Sequence, residues 1–478
     1  MPKFYFILFF LIILASFAVR VYNLNYNSPF NDEAVYIVVG KLQIFQKDFW
    51  SYNANAWMGG NSFFYPTASA LAYVSGGIVG SRLLNVLFGV LAVEIIFHLT
   101  FLLTRGASSF KFLAAVLAAL AVSGATSAIY ISRLATYDMP AFYFFILGIF
   151  LLILAEKNTN GGKWYFLAAT FLLLSFLTKI IVLVYLPFVI IYSFVKSRSL
   201  KKRRYFFWKR YFILPLALGL FGYFFTTYDS LISFFTLQMG RERVSLPSLM
   251  QFFWNLSNNF WWMWIVGSVG LLISGQWRKW VVLTISSLII LLAHLSSFRQ
   301  ISLDKHVFLS IIFLSIIFGI GAAEIVYFIV KRYPPALYTL LGILISILMI
   351  HWAFSYQNSK QYNLFWPNTS FVSSFLKEKV KPEDKVLAQS GADVILALYN
   401  ENFPTNTSTF DFFEYQKYKG EETYIQAVRD GYFNFIQVYQ DSTYSKVQKL
   451  ENKVTESMED NYKLILKESG FLVYQRNY

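Results

Sequence analysis

Val307-Phe-Leu-Ser-Ile-Ile-Phe-Leu-Ser-Ile-Ile-Phe-Gly-Ile-Gly-Ala-Ala-Glu-Ile-Val-Tyr-Phe-Ile-Val330 decides the class of this chain, because its one charge is Glu324. A helix that spans a bilayer needs about 20 mostly apolar residues, and this run meets that requirement with Asp304, Lys305 and His306 just before it. Ala336 to Phe354 follows as a second such run. Towards the N-terminus the pattern recurs at Trp280 to Ser296, Phe260 to Gly275, Tyr211 to Phe225, Ile180 to Val195 and Trp164 to Thr178. It continues at Met139 to Ala155, Phe112 to Ile131, Leu83 to Leu103 and Phe4 to Val19. Phe4 to Val19 reads as an uncleaved first helix, since the cleavage pattern at Ala15-Ser-Phe-Ala18 is poor and many spans follow. Phe63 to Gly80 is apolar too, but Pro66 and its glycines suit an interfacial or re-entrant helix.

Composition agrees. Of 478 residues 56% are hydrophobic and 14% charged, where a soluble domain carries about 25% charged residues. A disordered chain, a collagen-like repeat and a soluble cytosolic enzyme are excluded. The expected fold is an α-helical polytopic membrane protein of about 11 transmembrane helices, counted at about 20 residues each, with a small C-terminal α/β domain. There is no cysteine, which removes disulfides, thiolate metal sites and cysteine nucleophiles.

The net charge of +15 is uneven. From Ser355 onward there are 14 basic and 16 acidic residues, which leaves 27 basic and 10 acidic residues before it. Because the basic excess lies in short loops, it speaks for topology and anionic lipid headgroups rather than nucleic acid. The cluster Lys196, Arg198, Lys201, Lys202, Arg203, Arg204, Lys209 and Arg210 is its strongest element. Basic residues collect in cytoplasmic loops, so the N-terminus is expected in the cytoplasm and the C-terminus outside. The division expected is 1–354 for the transmembrane domain, with outer loops 21–81 and 226–259, and 355–478 for an extracytoplasmic α/β domain. In that domain Lys385 to Gln389, Phe433 to Tyr439, Tyr462 to Leu466 and Phe471 to Gln475 read as strands, the last two as a hairpin. Asp393 to Tyr399 and Glu421 to Arg429 read as helices.

Ionisable groups at a membrane edge are costly, and are functional candidates for that reason. Asp32 and Glu33 follow the first span in Pro29-Phe-Asn-Asp-Glu-Ala-Val-Tyr36, where one of them can serve as a general base or both can simply serve the start of a helix. Ser132-Arg-Leu-Ala-Thr-Tyr-Asp-Met-Pro140 sets Arg133 and Asp138 in a short turn, either as an ion pair or as a phosphate contact beside a carboxylate. Lys179 either snorkels to the interface or offers a point charge to phosphate. Arg82, Arg241, Arg243 and Lys305 complete the expected outer cations, and His306 is structural or a ligand. A carboxylate with cations is the pairing that deprotonates an acceptor and stabilises a phosphate leaving group. No Gly-rich nucleotide loop precedes any helix, which suits a lipid-borne donor.

With these motifs in place, the chain resembles the GT-C integral membrane glycosyltransferases, on the branch of protein O-mannosyltransferases, lipid A aminoarabinose transferases and Rgt-like galacturonosyltransferases. The likeness covers Phe4 to about Ala353. It rests on Asn31-Asp-Glu-Ala-Val-Tyr36, Ser81-Arg-Leu-Leu-Asn-Val-Leu-Phe-Gly89, Ser132 to Pro140 and Leu177-Thr-Lys179, in that order. The resemblance implies inverting transfer of a sugar from a polyprenyl-phosphate donor to a lipid, glycan or protein acceptor at the outer face of the cell membrane. It makes Asp32 the catalytic base, Glu33 its motif partner and Asp138 a second functional carboxylate. It makes Arg133 and Lys179 phosphate contacts by position. The chain departs from the aminoarabinose transferases at Phe64-Tyr65-Pro66-Thr67, where those carry Glu-Lys-Pro-Pro. The missing glutamate speaks against a comparable divalent metal site and against lipid A as acceptor, and leaves His306 as the candidate metal ligand.

Two other readings compete. A lipid-linked sugar flippase would favour interrupted helices, midplane charges and inverted repeats, and the sequence shows no repeat. A polyprenyl-linked glycan polymerase or ligase would use the same chemistry on another acceptor.

Overall fold

The apolar runs become helices because a bilayer leaves each backbone N–H and C=O no partner but its own chain. The computed structural model describes residues 3–48, 58, 64–158, 161–198, 202–240, 243–257, 260–300, 302–410, 413–440 and 445–477. They form two units. The first comprises Met1–Leu24, Asp48–Tyr65 and Val74–Asn363, and the second Asn25–Lys47, Pro66–Tyr73 and Leu364–Tyr478.

In chain order the helices run α1 (Lys3–Val21), α2 (Asn31–Lys41), α3 (Phe64–Leu103), α4 (Ser108–Ser123), α5 (Thr126–Ser132), α6 (Asp138–Lys157) and α7 (Gly162–Thr178). Then come α8 (Leu186–Arg198), α9 (Lys202–Trp208), α10 (Leu214–Thr226), α11 (Tyr228–Gly240) and α12 (Leu246–Ser257). The short α13 (Trp261–Ile273) and the long helices α14 (Trp277–Ser297), α15 (Leu303–Arg332) and α16 (Ala336–Asn363) complete the membrane part. Among the described residues, five helices are long and apolar enough to cross a membrane, namely α3, α6, α14, α15 and α16. Two bent pairs, α4 with α5 at 64° and the run Arg204–Thr226 with α11 at 81°, raise the number to seven. The remaining expected spans fall on the shorter helices α1, α7, α8 and α13. The protein is thus an α-helical, multi-pass membrane protein.

The stretch expected as a separate interfacial helix differs in one respect. It forms a helix from Phe64 that breaks at Gly76 and Gly77, the latter at φ +60°, and a second helix continues from the break through Leu83 to Leu103, so the difference lies in where the first one ends. Pro66 does not prevent this, because it stands in the first turn, where its missing N–H would have had no intrahelical partner.

At the centre of the first unit lies α15, apolar all round and buried along almost all of its length. A helix with no polar face must be covered on every side. Small residues allow the closest approaches: a Cβ built on Gly321 would stand 2.0 Å from the Gly267 carbonyl oxygen, and one on Gly270 1.9 Å from that of Gly321. Here α13 and α15 meet backbone to backbone, the packing mode favoured between helices in lipid.

The second unit holds a five-stranded sheet in the order β2-β1-β3-β5-β4. Its elements are α17 (Ser370–Lys379), β1 (Val386–Ala388), α18 (Gly391–Ala397), β2 (Thr407–Thr409), α19 (Glu421–Arg429), β3 (Phe435–Tyr439), α20 (Ser445–Glu456), β4 (Tyr462–Glu468) and β5 (Phe471–Arg476). β2, β1 and β3 are parallel, and β3, β5 and β4 antiparallel, with Leu387 opposite both Ser408 and Ile436. Alternate strand residues supply two cores. Leu387, Ile436 and Val438 pack with Val428 of α19 and Val454 of α20. On the other face Val386, Ala388 and Phe435 pack with Val372 and Leu376 of α17 and Val394 of α18.

Candidate functional site

The antiparallel neighbours α6 and α7 bring their facing ends together. Asp138 opens α6, and Lys179 is the residue that ends α7. An acid in a first turn and a base at a C-terminus both complement the helix dipole. Asp138 is 1% exposed and Lys179 7%. The lysine Nζ donates to Asp138 Oδ1, and Thr136 Oγ1 donates to Oδ2 at 2.8 Å. Lys305, buried in the first turn of α15, adds a second ammonium within electrostatic reach of the carboxylate. The Lys179 ammonium also lies 4.9 Å from the Tyr137 ring centre, a cation–π geometry. The cluster sets the buried Asp138 carboxylate against the Lys179 ammonium, with Lys305 and a second carboxylate, Asp304, within electrostatic reach.

Asn85 fixes the turn that carries it. Its Nδ2 donates to the Thr136 carbonyl at 2.6 Å and to that of Leu134. Nearby Arg82 and Arg133, both expected as phosphate contacts, are turned to the backbone. Arg82 Nη1 donates to Leu24 O at 2.8 Å, and Arg133 Nη2 to Tyr22 O at 2.9 Å and Asn23 O at 3.0 Å. These bonds tie the end of α1 to α3 and to the α5–α6 turn. Arg243 is exposed in the stretch before α12, and Arg241 lies outside the described residues.

Two histidines had not been linked by sequence. His294 Nδ1 bonds the Arg299 carbonyl at 2.8 Å, and its Nε2 lies 2.9 Å from His306 Nδ1. A carbonyl only accepts, so His294 Nδ1 carries the proton, and His306 Nδ1 in turn donates to His294 Nε2. His306 Nε2 is then an acceptor, buried without a hydrogen-bond partner among the described residues. Lys179 and Lys305 are the cations that act on this ring. Such surroundings do not fit a divalent metal. Among the described residues no three His, Asp or Glu side chains are grouped to hold one, and the charges nearest His306 are positive.

The second unit carries the other candidates, on α2. Asp32 is half-buried in its first turn, whereas Glu33 is fully buried. Glu33 Oε2 accepts from the Phe30 N–H at 2.8 Å, closing the helix start as half of a capping box. The segment is fastened to the C-terminal part of the same unit. Asn27 Nδ2 donates to Trp366 O at 3.0 Å, Trp366 Nε1 to Ser28 O at 3.1 Å, and the Thr369 N–H to Ser28 Oγ at 2.9 Å. At the far end of α2, Lys41 lies 3.8 Å from the Tyr399 ring centre and 5.6 Å from that of Tyr73. Burial pushes the Lys41 ammonium down from its ordinary value, against the opposing charge of Glu401.

Fold and clusters together define a polytopic membrane protein with buried acid–lysine chemistry, and comparison with known proteins narrows this further. Neither a family model nor a curated protein sequence matches the chain. Solved structures do. The chain is similar to ArnT from Cupriavidus metallidurans in the apo state, at TM-score 0.68 and 10% identity over 99% of this chain and 97% of that one. For the same protein bound to undecaprenyl phosphate the values are 0.66 and 11%, over 99% and 98%. The archaeal oligosaccharyltransferase AglB from Archaeoglobus fulgidus, in complex with an inhibitory peptide and a dolichol-phosphate, gives 0.60 and 11% over 99% and 74%. The chain has the fold of the GT-C membrane glycosyltransferases.

Proposed function

We propose that this protein is an inverting glycosyltransferase that moves a sugar from a polyprenyl-phosphate carrier to a lipid, glycan or protein acceptor at the extracytoplasmic face. The observation that carries this reading is the buried Asp138–Lys179–Lys305 cluster, on a fold shared with a protein solved with undecaprenyl phosphate. Two buried ammonium groups suit a phosphate that gains charge as it departs, the electrostatic contribution that most often dominates catalysis. Asp138 holds Lys179 in place before the donor arrives. Asp32 is the general base: it takes the proton of an acceptor hydroxyl or amine as that atom bonds to the anomeric carbon. The bond from that carbon to the phosphate oxygen breaks on the opposite side, and polyprenyl phosphate leaves with the electron pair. One displacement inverts the centre.

The test uses purified full-length protein and Asp32→Asn with labelled polyprenyl-phosphate sugars and a crude acceptor extract. Label transfer by the wild type, lost in a folded variant, supports both transfer and base. Unchanged transfer by Asp32→Asn removes Asp32 from that role. Movement of the lipid-linked sugar between leaflets without transfer overturns the enzyme in favour of a flippase.

A further inference from the structure

Between the ends of α4, α5, α13, α15 and α16 the first unit holds a narrow pocket, lined by Thr126, Ser127, Tyr130, Asp304, Val307 and Tyr362 among others, with room for about one to two water-sized groups. It exists because the helix breaks at Gly124 and Ala125 before resuming as α5. Trp352 holds the break open. Its indole sits where a Cβ on Gly124 would be, 1.8 Å from the ring, while its Nε1 donates to the Leu120 carbonyl at 2.8 Å.

The break leaves two hydroxyls unused. Elsewhere in the bundle Ser315 and Ser355 are single hydroxyls, unpaired among the described residues and away from the pocket lining, while Thr100, Thr104 and Ser132 return their protons to carbonyls one turn back, as hydroxyls in helices do. Thr126 and Ser127 follow the bend and do not. Both are more than nine-tenths buried, and neither Oγ has a hydrogen-bond partner among the described residues. Buried polar atoms left unpaired are rare and costly, so two on one pocket wall mark a place for a ligand hydroxyl. The Asp304 carboxylate completes the polar wall, and Val307, Ile311, Phe260 and Ala125 are apolar. Such a lining, half hydroxyl and carboxylate and half hydrocarbon, matches one methylene bearing one hydroxyl. An anion is repelled by Asp304, and a hydrocarbon alone leaves the hydroxyls unpaired.

We propose that this pocket is a socket for the exocyclic hydroxymethyl group of the donor sugar, and that it selects hexoses over pentoses. The inference rests on the lipid-linked donor proposed above. It connects to that reading through Asp304, which faces the pocket and lies within electrostatic reach of Lys305, Lys179 and Asp138.

Glucose and xylose differ only in this group, as do mannose and lyxose. Binding of bare undecaprenyl phosphate and of undecaprenyl phosphate carrying each of the four sugars is measured on the full-length protein, on Thr126→Val and on Ser127→Ala. In at least one pair the hexose lipid should bind the wild type about tenfold more tightly than the pentose lipid, the size expected for a methylene with its hydrogen bonds. Both variants should lose that preference while holding the pentose and bare lipids as before. A wild type that prefers the hexose in neither pair, or variants that weaken all five lipids alike, overturns the socket and leaves the donor reading standing. A wild type that binds none of the lipids overturns the donor reading and the socket together.

Discussion

Asp138 and Lys179 are buried partners that meet across two antiparallel helices, the acid at the start of α6 and the lysine at the end of α7. Neither has a solvated alternative within the bundle. Removing one partner of a buried pair leaves an uncompensated charge and typically costs about 3–5 kcal/mol. Asp138→Asn and Lys179→Met should each lower the thermal unfolding midpoint in detergent sharply, and the double variant by clearly less than the sum. Additive losses would show that the two side chains are not coupled.

Asp32 and Glu33 are adjacent in sequence but do different work in α2. Asp32→Asn should lower the rate of label transfer by about 100-fold or more, the low end for a lost general base, with donor affinity unchanged. Glu33→Gln keeps an oxygen for the Phe30 N–H and should keep most activity. Glu33→Ala loses the cap, worth about 0.5–2 kcal/mol, and should lower the melting point. Transfer that disappears with Glu33→Gln would instead make its charge catalytic.

Arg133 spends Nη2 on the Tyr22 and Asn23 carbonyls. Arg133→Ala should therefore show itself first in stability, by about 0.5–1.5 kcal/mol for each hydrogen bond lost. Binding of bare polyprenyl phosphate to the variant should stay within a few-fold of wild type. A large loss of affinity in a protein of unchanged melting point would return Arg133 to the phosphate.

Gly321 admits no side chain where α13 and α15 touch. Gly321→Ala should destabilise by about 1–3 kcal/mol, the usual penalty of overpacking, read as a lower melting point and a reduced yield of monodisperse protein. An unaltered melting point would show that the two helices can part at little cost.

Most of the helical part was legible because lipid leaves few solutions for a long apolar run: each of the eleven expected runs from Phe4–Val19 to Ala336–Phe354 coincides with a helix, a bent pair or part of one. The bends were not legible. That at Gly124 depends on Trp352, and nothing in the local pattern announces so distant a partner. In the second unit the alternating β3, β4 and β5 were readable, whereas β2, three residues of Thr407-Ser-Thr409, offers no period at all. The site was legible as residue types and their order, since Asp138, Lys179 and Lys305 each stand beside an apolar run. Their pairing was not, nor was the bond between His294 and His306, because periodicity marks where helices end but not which ends meet. Glu33 illustrates the reverse difficulty: a carboxylate in a functional motif and a carboxylate in a capping box look alike until the Phe30 N–H is located.

The bonds of Asn27 and Ser28 to Trp366 and Thr369 also bear on how such proteins can be recombined. The unit that carries α2 is written in the gene as separate passages, the short ones near the beginning and the long one at the end. A chimera joined once, at residue 364, would give Asn27 and Ser28 a foreign counterpart for each of those bonds. A graft that exchanges 25–47, 66–73 and 364–478 together keeps every one of them, so crossovers that survive selection should be found in sets rather than singly.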